Sequence, residues 1–89
     1  MNVHWRIPAQ HQNLKEDILP RIAELHGRYP QATETTVAVG TGAISINTEA
    51  GVKSFAPYFI VTLKDNKQIL MKMCLIYNGE QFFGYKMKG

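Results

Sequence analysis

Few residues in this chain are of the kinds that do chemistry, and their spacing argues against most of the chemistry they could do. The single cysteine, Cys74, stands between Met73 and Leu75 in an apolar run. A nucleophilic thiol needs an electropositive, partly open setting that lowers its pKa. Only Lys72, two residues away and so on the same face of a strand, offers charge there. A cysteine in such company is read as a small hydrophobe. His4, His11 and His26 are the only imidazoles, and no two stand at helical or zinc-finger spacing, so no metal site is expected. His26 falls instead where a cation complements the end of a helix. Gly40-Thr41-Gly42 follows a strand-like segment, as phosphate loops do. It lacks the third glycine of a dinucleotide fingerprint and any Gly-Lys-Ser/Thr, and it is read as a hairpin turn or bulge. Glu16-Asp17 suits a helix start, and Glu24 has no carboxylate partner placed to raise a pKa. No catalytic residue, cofactor or small-molecule substrate is therefore expected, and the chain is read as a non-enzyme.

What remains are side chains suited to binding. Lys72, Phe83 and Tyr85 fall on one face of a sheet in the register set out below, with Phe59 nearby. Lysines interleaved with aromatic rings suit single-stranded nucleic acid, because rings stack on bases while ammonium groups meet phosphates. Lys53, Lys64, Lys67, Lys86 and Lys88 deepen the positive field. The competing structural reading makes Lys72 and Lys86 charges that keep an apolar sheet from pairing wrongly. Phe82-Phe83-Gly84-Tyr85 also departs from the aromatic and glycine consensus of an RNA-recognition sheet.

The elements that position these residues lie mostly in the last third of the chain. Tyr58-Phe59-Ile60-Val61-Thr62-Leu63 is β-branched and aromatic, and Asx residues follow it at Asp65-Asn66. A second strand over residues 68–77 ends at Asn78-Gly79, a strong hairpin signal, and a third covers 80–87. A two-residue turn at Asn78-Gly79 sets Leu75 opposite Phe82 and Met73 opposite Gly84. With a two-residue first turn, one face carries Tyr58, Ile60, Thr62, Met71, Met73, Leu75 and Phe82. The other carries Phe59, Val61, Leu63, Lys72, Cys74, Ile76, Phe83, Tyr85 and Met87. A three-residue loop with a bulge would exchange the faces in the first hairpin. Both faces come out apolar, whereas an antiparallel sheet with one wet face alternates.

Upstream, Val3-His4-Trp5-Arg6-Ile7 alternates and stops at Pro8, as a short edge strand does. Asn13 and Glu16 form a capping-box pattern ahead of an apolar stripe at Leu14, Ile18, Ile22, Leu25 and Tyr29. Pro20 places the main helix at about residues 18–26 with a looser turn before it, and Gly27 and Pro30 are placed to end it. Residues 34–39 and 43–47 read as strands, and 47–56 as a connecting loop.

Length and composition fit one small domain spanning residues 1–89, with 45% hydrophobic and 19% charged residues. The net charge of +3 is concentrated in the second half, which carries +4 against −1 for the first 49 residues. No apolar run approaches the ~20 residues that span a bilayer. No basic segment leads into an apolar stretch near Met1, and one cysteine precludes an internal disulfide, so a cytoplasmic setting is expected.

The expectation is an α+β fold, one main helix packed on an antiparallel sheet of about four to five strands. One helix covers one face. The other is expected to dock on another protein or on a second copy, giving a homodimer through Phe59, Val61, Lys72, Ile76, Phe83 and Tyr85. The expected function is a non-enzymatic protein-binding module, an inhibitor or adaptor that occludes its partner. The alternative is nucleic-acid binding through the lysine and aromatic face.

Overall fold

The alternation through Val3–Arg6 produces strand β1 in the computed structural model, which describes residues 2–86. A 3-10 segment over Ala9–Leu14 then leads into helix α1, Lys15–Arg28, whose stripe Ile18, Ile22 and Leu25 is buried. The helix is longer than residues 18–26. Pro20 lies inside it but is exposed, and the bond it removes would have gone to the Glu16 carbonyl, in the first turn. The expected looser turn is the 3-10 segment. Asn13 belongs to that segment and caps nothing; Leu14 is the N-cap, and no side chain satisfies it. Gly27 is helical as well, and the helix closes at Tyr29, whose N–H donates to the Leu25 carbonyl at 2.8 Å.

Six further strands follow: β2 Glu34–Val39, β3 Ile44–Thr48, β4 Gly51–Phe55, β5 Tyr58–Asp65, β6 Gln68–Tyr77 and β7 Phe82–Lys86. Five form one sheet in the order β1-β2-β5-β6-β7, with β5 to β7 an antiparallel meander. The protein is thus α+β, one helix packed on a five-stranded sheet. Two details differ from expectation. The sheet is mixed, because α1 carries the chain back so that β2 runs parallel to β1. Residues 44–48 are outside it: β3 pairs with β4 as a separate two-stranded ribbon, so residues 47–56 are largely a strand and its turn. Gly-Val-Lys-Ser-Phe shows no alternation of burial that could have announced β4.

The decisive departure lies in the meander. Asn66 and Lys67 both take positive φ, 47° and 68°, as the central pair of a type I′ turn must. Asp65 therefore pairs with Gln68 and Lys64 with Ile69. The register then slips between Leu63 and Lys64, so that Leu63 pairs with Met71 and Leu70 is left over. This β-bulge exchanges the faces of β5 relative to β6. Phe59, Val61 and Leu63 join Met71, Met73 and Leu75 on the side of the helix, against the expected assignment.

The second turn also differs, without exchanging faces. Asn78 Oδ1 accepts the N–H groups of Glu80 and Gln81, both at 2.9 Å, and Gly79 takes a φ of +100°. Tyr77 therefore pairs with Phe82 across a four-residue connection, and Leu75 stands opposite Gly84. Because the shift is two residues, every side chain keeps its side.

The core follows from that register. Ile18, Ile22 and Leu25 pack on Val37, Phe59, Val61, Leu63, Leu75 and Phe82. Phe59 meets Phe82 edge-on at 5.9 Å and His11 at 5.8 Å between ring centroids. Thr35 is the one buried polar residue among those described, and its hydroxyl shares a 2.6 Å hydrogen bond with His26 Nε2. That contact satisfies a group that would otherwise cost stability in the core. The face assignment predicts that Phe59→Ala lowers unfolding free energy by about 3–5 kcal/mol. Phe83→Ala, which loses only a cross-strand pair with Ile76 on the other face, should lower it by no more than about 1 kcal/mol. Urea denaturation measures both, and the reverse order would contradict the bulged register.

Candidate functional site

Beyond the helix, the sheet presents its second face, where cross-strand partners line up in rows. Glu34, Lys64 and Ile69 form the first row; His4, Thr36, Thr62 and Lys72 the second. The third runs Arg6, Ala38, Ile60, Cys74, Tyr85, and the fourth Tyr58, Ile76, Phe83. Neighbouring strands lie ~4.8 Å apart, so the second row spans about 14 Å. The face grades from charged and hydroxylic at one end to aromatic and aliphatic at the other.

The polar end is concave. An open trough of about 400 Å³ is lined by His4, Arg6, Glu34, Thr36, Thr62, Lys64, Ile69 and Lys72, residues of four strands. Three permanent cations stand there against one carboxylate. Among the described residues the one ion pair is Arg21 with Glu24, 3.5 Å apart on the helix, so Arg6, Lys64 and Lys72 are uncommitted. Two threonine hydroxyls in mid-row add neutral donors. The arrangement suits an anion with several oxygens.

Aromatic residues hold the other end. Phe83 and Tyr85 on β7 are 38% and 40% exposed. Tyr58 is occupied differently: its ring lies over Gly40, where a β-carbon would collide with it, and its hydroxyl donates to the Thr41 carbonyl at 3.3 Å. Gly40-Thr41-Gly42 is thus a bend that leads out of the sheet, rather than the hairpin turn or bulge expected, with Gly42 at a φ of +76°.

The residues expected to meet a partner divide. Lys72, Ile76, Phe83 and Tyr85 share the open face. Phe59 and Val61 do not: the bulge turns both under the helix, where they are fully buried. Ile76 lies between Tyr58 and Phe83 and is 1% exposed, so it is floor rather than contact surface. Met87 and Lys88 lie outside the described residues. Arg6 and His4 are the residues that sequence reasoning missed. Alternation in β1 places them on one side, but only the parallel pairing with β2 brings them to Thr36 and Lys72. The three histidines do not converge, and among the described residues no group of three His, Cys, Asp or Glu side chains is placed to hold a metal ion. No described helix is long and apolar enough to cross a membrane. Compared with models of protein families, with curated proteins and with solved structures, the chain finds no match in any of the three.

Cys74 sits on the open face between Ile60 and Tyr85, almost fully buried, and burial pushes its thiol pKa above the ordinary 9.0. Its protonated form is the one the fold favours. The resulting contribution to stability is whole below pH 9.0 and is lost as pH rises through the raised folded value. Iodoacetamide at pH 8 should therefore label native Cys74 at least tenfold more slowly than the urea-unfolded chain. Equal rates would show an accessible thiol.

Proposed function

We propose that the protein is a non-enzymatic binding module whose working surface is the open sheet face, and that its occupant is single-stranded nucleic acid. One observation carries this reading: the uncommitted cations Arg6, Lys64 and Lys72 share one side of the sheet with the exposed rings of Phe83 and Tyr85. Cations meet phosphates and rings stack on bases, a division of labour that open sheets use for single strands. The net charge of +3 favours the encounter. Such a module acts by occupancy, as an inhibitor or adaptor does. A cytoplasmic setting belongs to the same proposal, supported by a single cysteine held as a buried free thiol.

Docking on a protein or on a second copy has a specific observation in its favour too. Strand β7 ends the described sheet with Phe83 and Tyr85 exposed beside its outer edge, where an added strand would pair. Against it, the apolar face expected to form a dimer seam is much reduced, since Phe59 and Val61 belong to the core.

Fluorescence anisotropy with a labelled oligothymidylate, titrated between 50 and 200 mM salt, tests the proposal. Affinity should fall as salt rises, and Lys72→Glu should weaken binding of every sequence alike. Tyr85→Ala should cost about 1–3 kcal/mol, the usual worth of one stacked base. Absence of salt-dependent binding, together with a dimer mass that Phe83→Lys abolishes, would decide for protein docking.

A further inference from the structure

The cations of the open face are gathered rather than strung out. A groove that follows a nucleic-acid backbone carries positive charge along its length. Here Arg6, Lys64 and Lys72 converge on one trough, and apart from Arg6 the third and fourth rows hold no charge. Lys86 does not extend the path, because it pairs with Met73 on the helix side. The Glu34 carboxylate lines the trough in the row farthest from the aromatic end, and it opposes a second phosphate there. The positive site is therefore short and closed on one side by negative charge.

Less the Glu34 carboxylate, the three cations leave a net charge of +2, and with two hydroxyls that exceeds what an in-chain phosphodiester, with one negative charge, requires. A phosphate monoester carries about −1.5 to −2 at neutral pH and presents three strong acceptor oxygens. Arginine can meet two of these oxygens at once, while each lysine serves as a point charge. Thr36 and Thr62 are direct cross-strand partners in the middle of the trough, with His4 and Lys72 at the ends of their row. From Lys72 the nearest exposed ring is Tyr85, a diagonal step away on β7 and about 7–8 Å distant.

We propose that the trough binds the terminal phosphate of a nucleic-acid strand and that the adjoining base stacks on Tyr85. This inference rests on the nucleic-acid reading above and sharpens it: the protein holds a phosphorylated strand end in preference to a strand interior. The end enters between β1 and β6 and the strand leaves across β7, away from Glu34.

Four oligothymidylates of about 12 nucleotides test it. Two carry a 3′ dye with either a 5′-phosphate or a 5′-hydroxyl; two carry a 5′ dye with either a 3′-phosphate or a 3′-hydroxyl. Anisotropy at fixed salt should show at least tenfold tighter binding of the phosphorylated member of one pair, which also identifies the end that is held. The Thr36→Val/Thr62→Val variant should lose that preference, bringing the affinities for the phosphorylated and hydroxyl-ended members of the pair to within about twofold of each other. Inorganic phosphate titrated into wild-type complex should reduce affinity for the phosphorylated strand more than sodium chloride at equal ionic strength, a readout that needs no variant to fold. Equal affinities within each pair would overturn the terminal-phosphate site while leaving nucleic-acid binding standing. No binding of any of the four would overturn both.

Discussion

One surplus residue in β6 governs this structure. The bulge at Leu63 and Lys64 leaves Leu70 unpaired and rotates β5 by one side-chain position relative to its neighbour. Without it, Phe59, Val61 and Leu63 would face away from the helix, and two half-apolar surfaces would both need cover. With it, these three join Met71, Leu75 and Phe82 beneath Ile18, Ile22 and Leu25. A single helix of 14 residues can then roof the apolar side of a five-stranded sheet. The side chains that β5 turns outward instead are Tyr58, Ile60, Thr62 and Lys64, and two of those are polar. The same local irregularity that completes the core thus supplies the polar end of the open face.

The aliphatic residues left on that face do not form a bare patch. Cys74 and Ile76 are 1% exposed, flanked across the strands by Ile60 and Tyr85 and by Tyr58 and Phe83. The rings at the rim therefore combine two duties, shielding the floor and presenting their outer surfaces to solvent. Tyr58 adds a third, since its position over Gly40 braces the bend where the chain leaves the sheet.

Much of this was legible in the residues. Runs of β-branched and aromatic residues bounded by turn chemistry located all three strands of the meander, and the period of the stripe through Ile18, Ile22 and Leu25 located the helix. Asn66-Lys67 was readable as a turn because Asn tolerates positive φ. The bulge was not, since no residue type announces an unpaired Leu70; its cause is the match of Phe59, Val61 and Leu63 to the helix stripe, a tertiary fit. The parallel pairing of β1 was hidden for a related reason, as it joins segments more than 30 residues apart. Of the open face, Lys72, Phe83 and Tyr85 came from local alternation, whereas Arg6 and His4 needed that distant pairing.

The β3–β4 ribbon stands apart from these dependencies. It leaves the sheet after Val39 and returns at Tyr58, and none of its residues is fully buried. Its own contacts are local: the Ser45 and Ser54 hydroxyls at 3.2 Å, and the Thr48 hydroxyl on the Gly51 carbonyl at 2.7 Å. The Gly40 N–H already donates to the Tyr58 carbonyl at 2.8 Å, so the sheet is tied off before the ribbon begins. Mechanically the ribbon is therefore a self-contained hairpin: its two strands hold each other, and the hydrogen bonding of the sheet closes beneath it without their help.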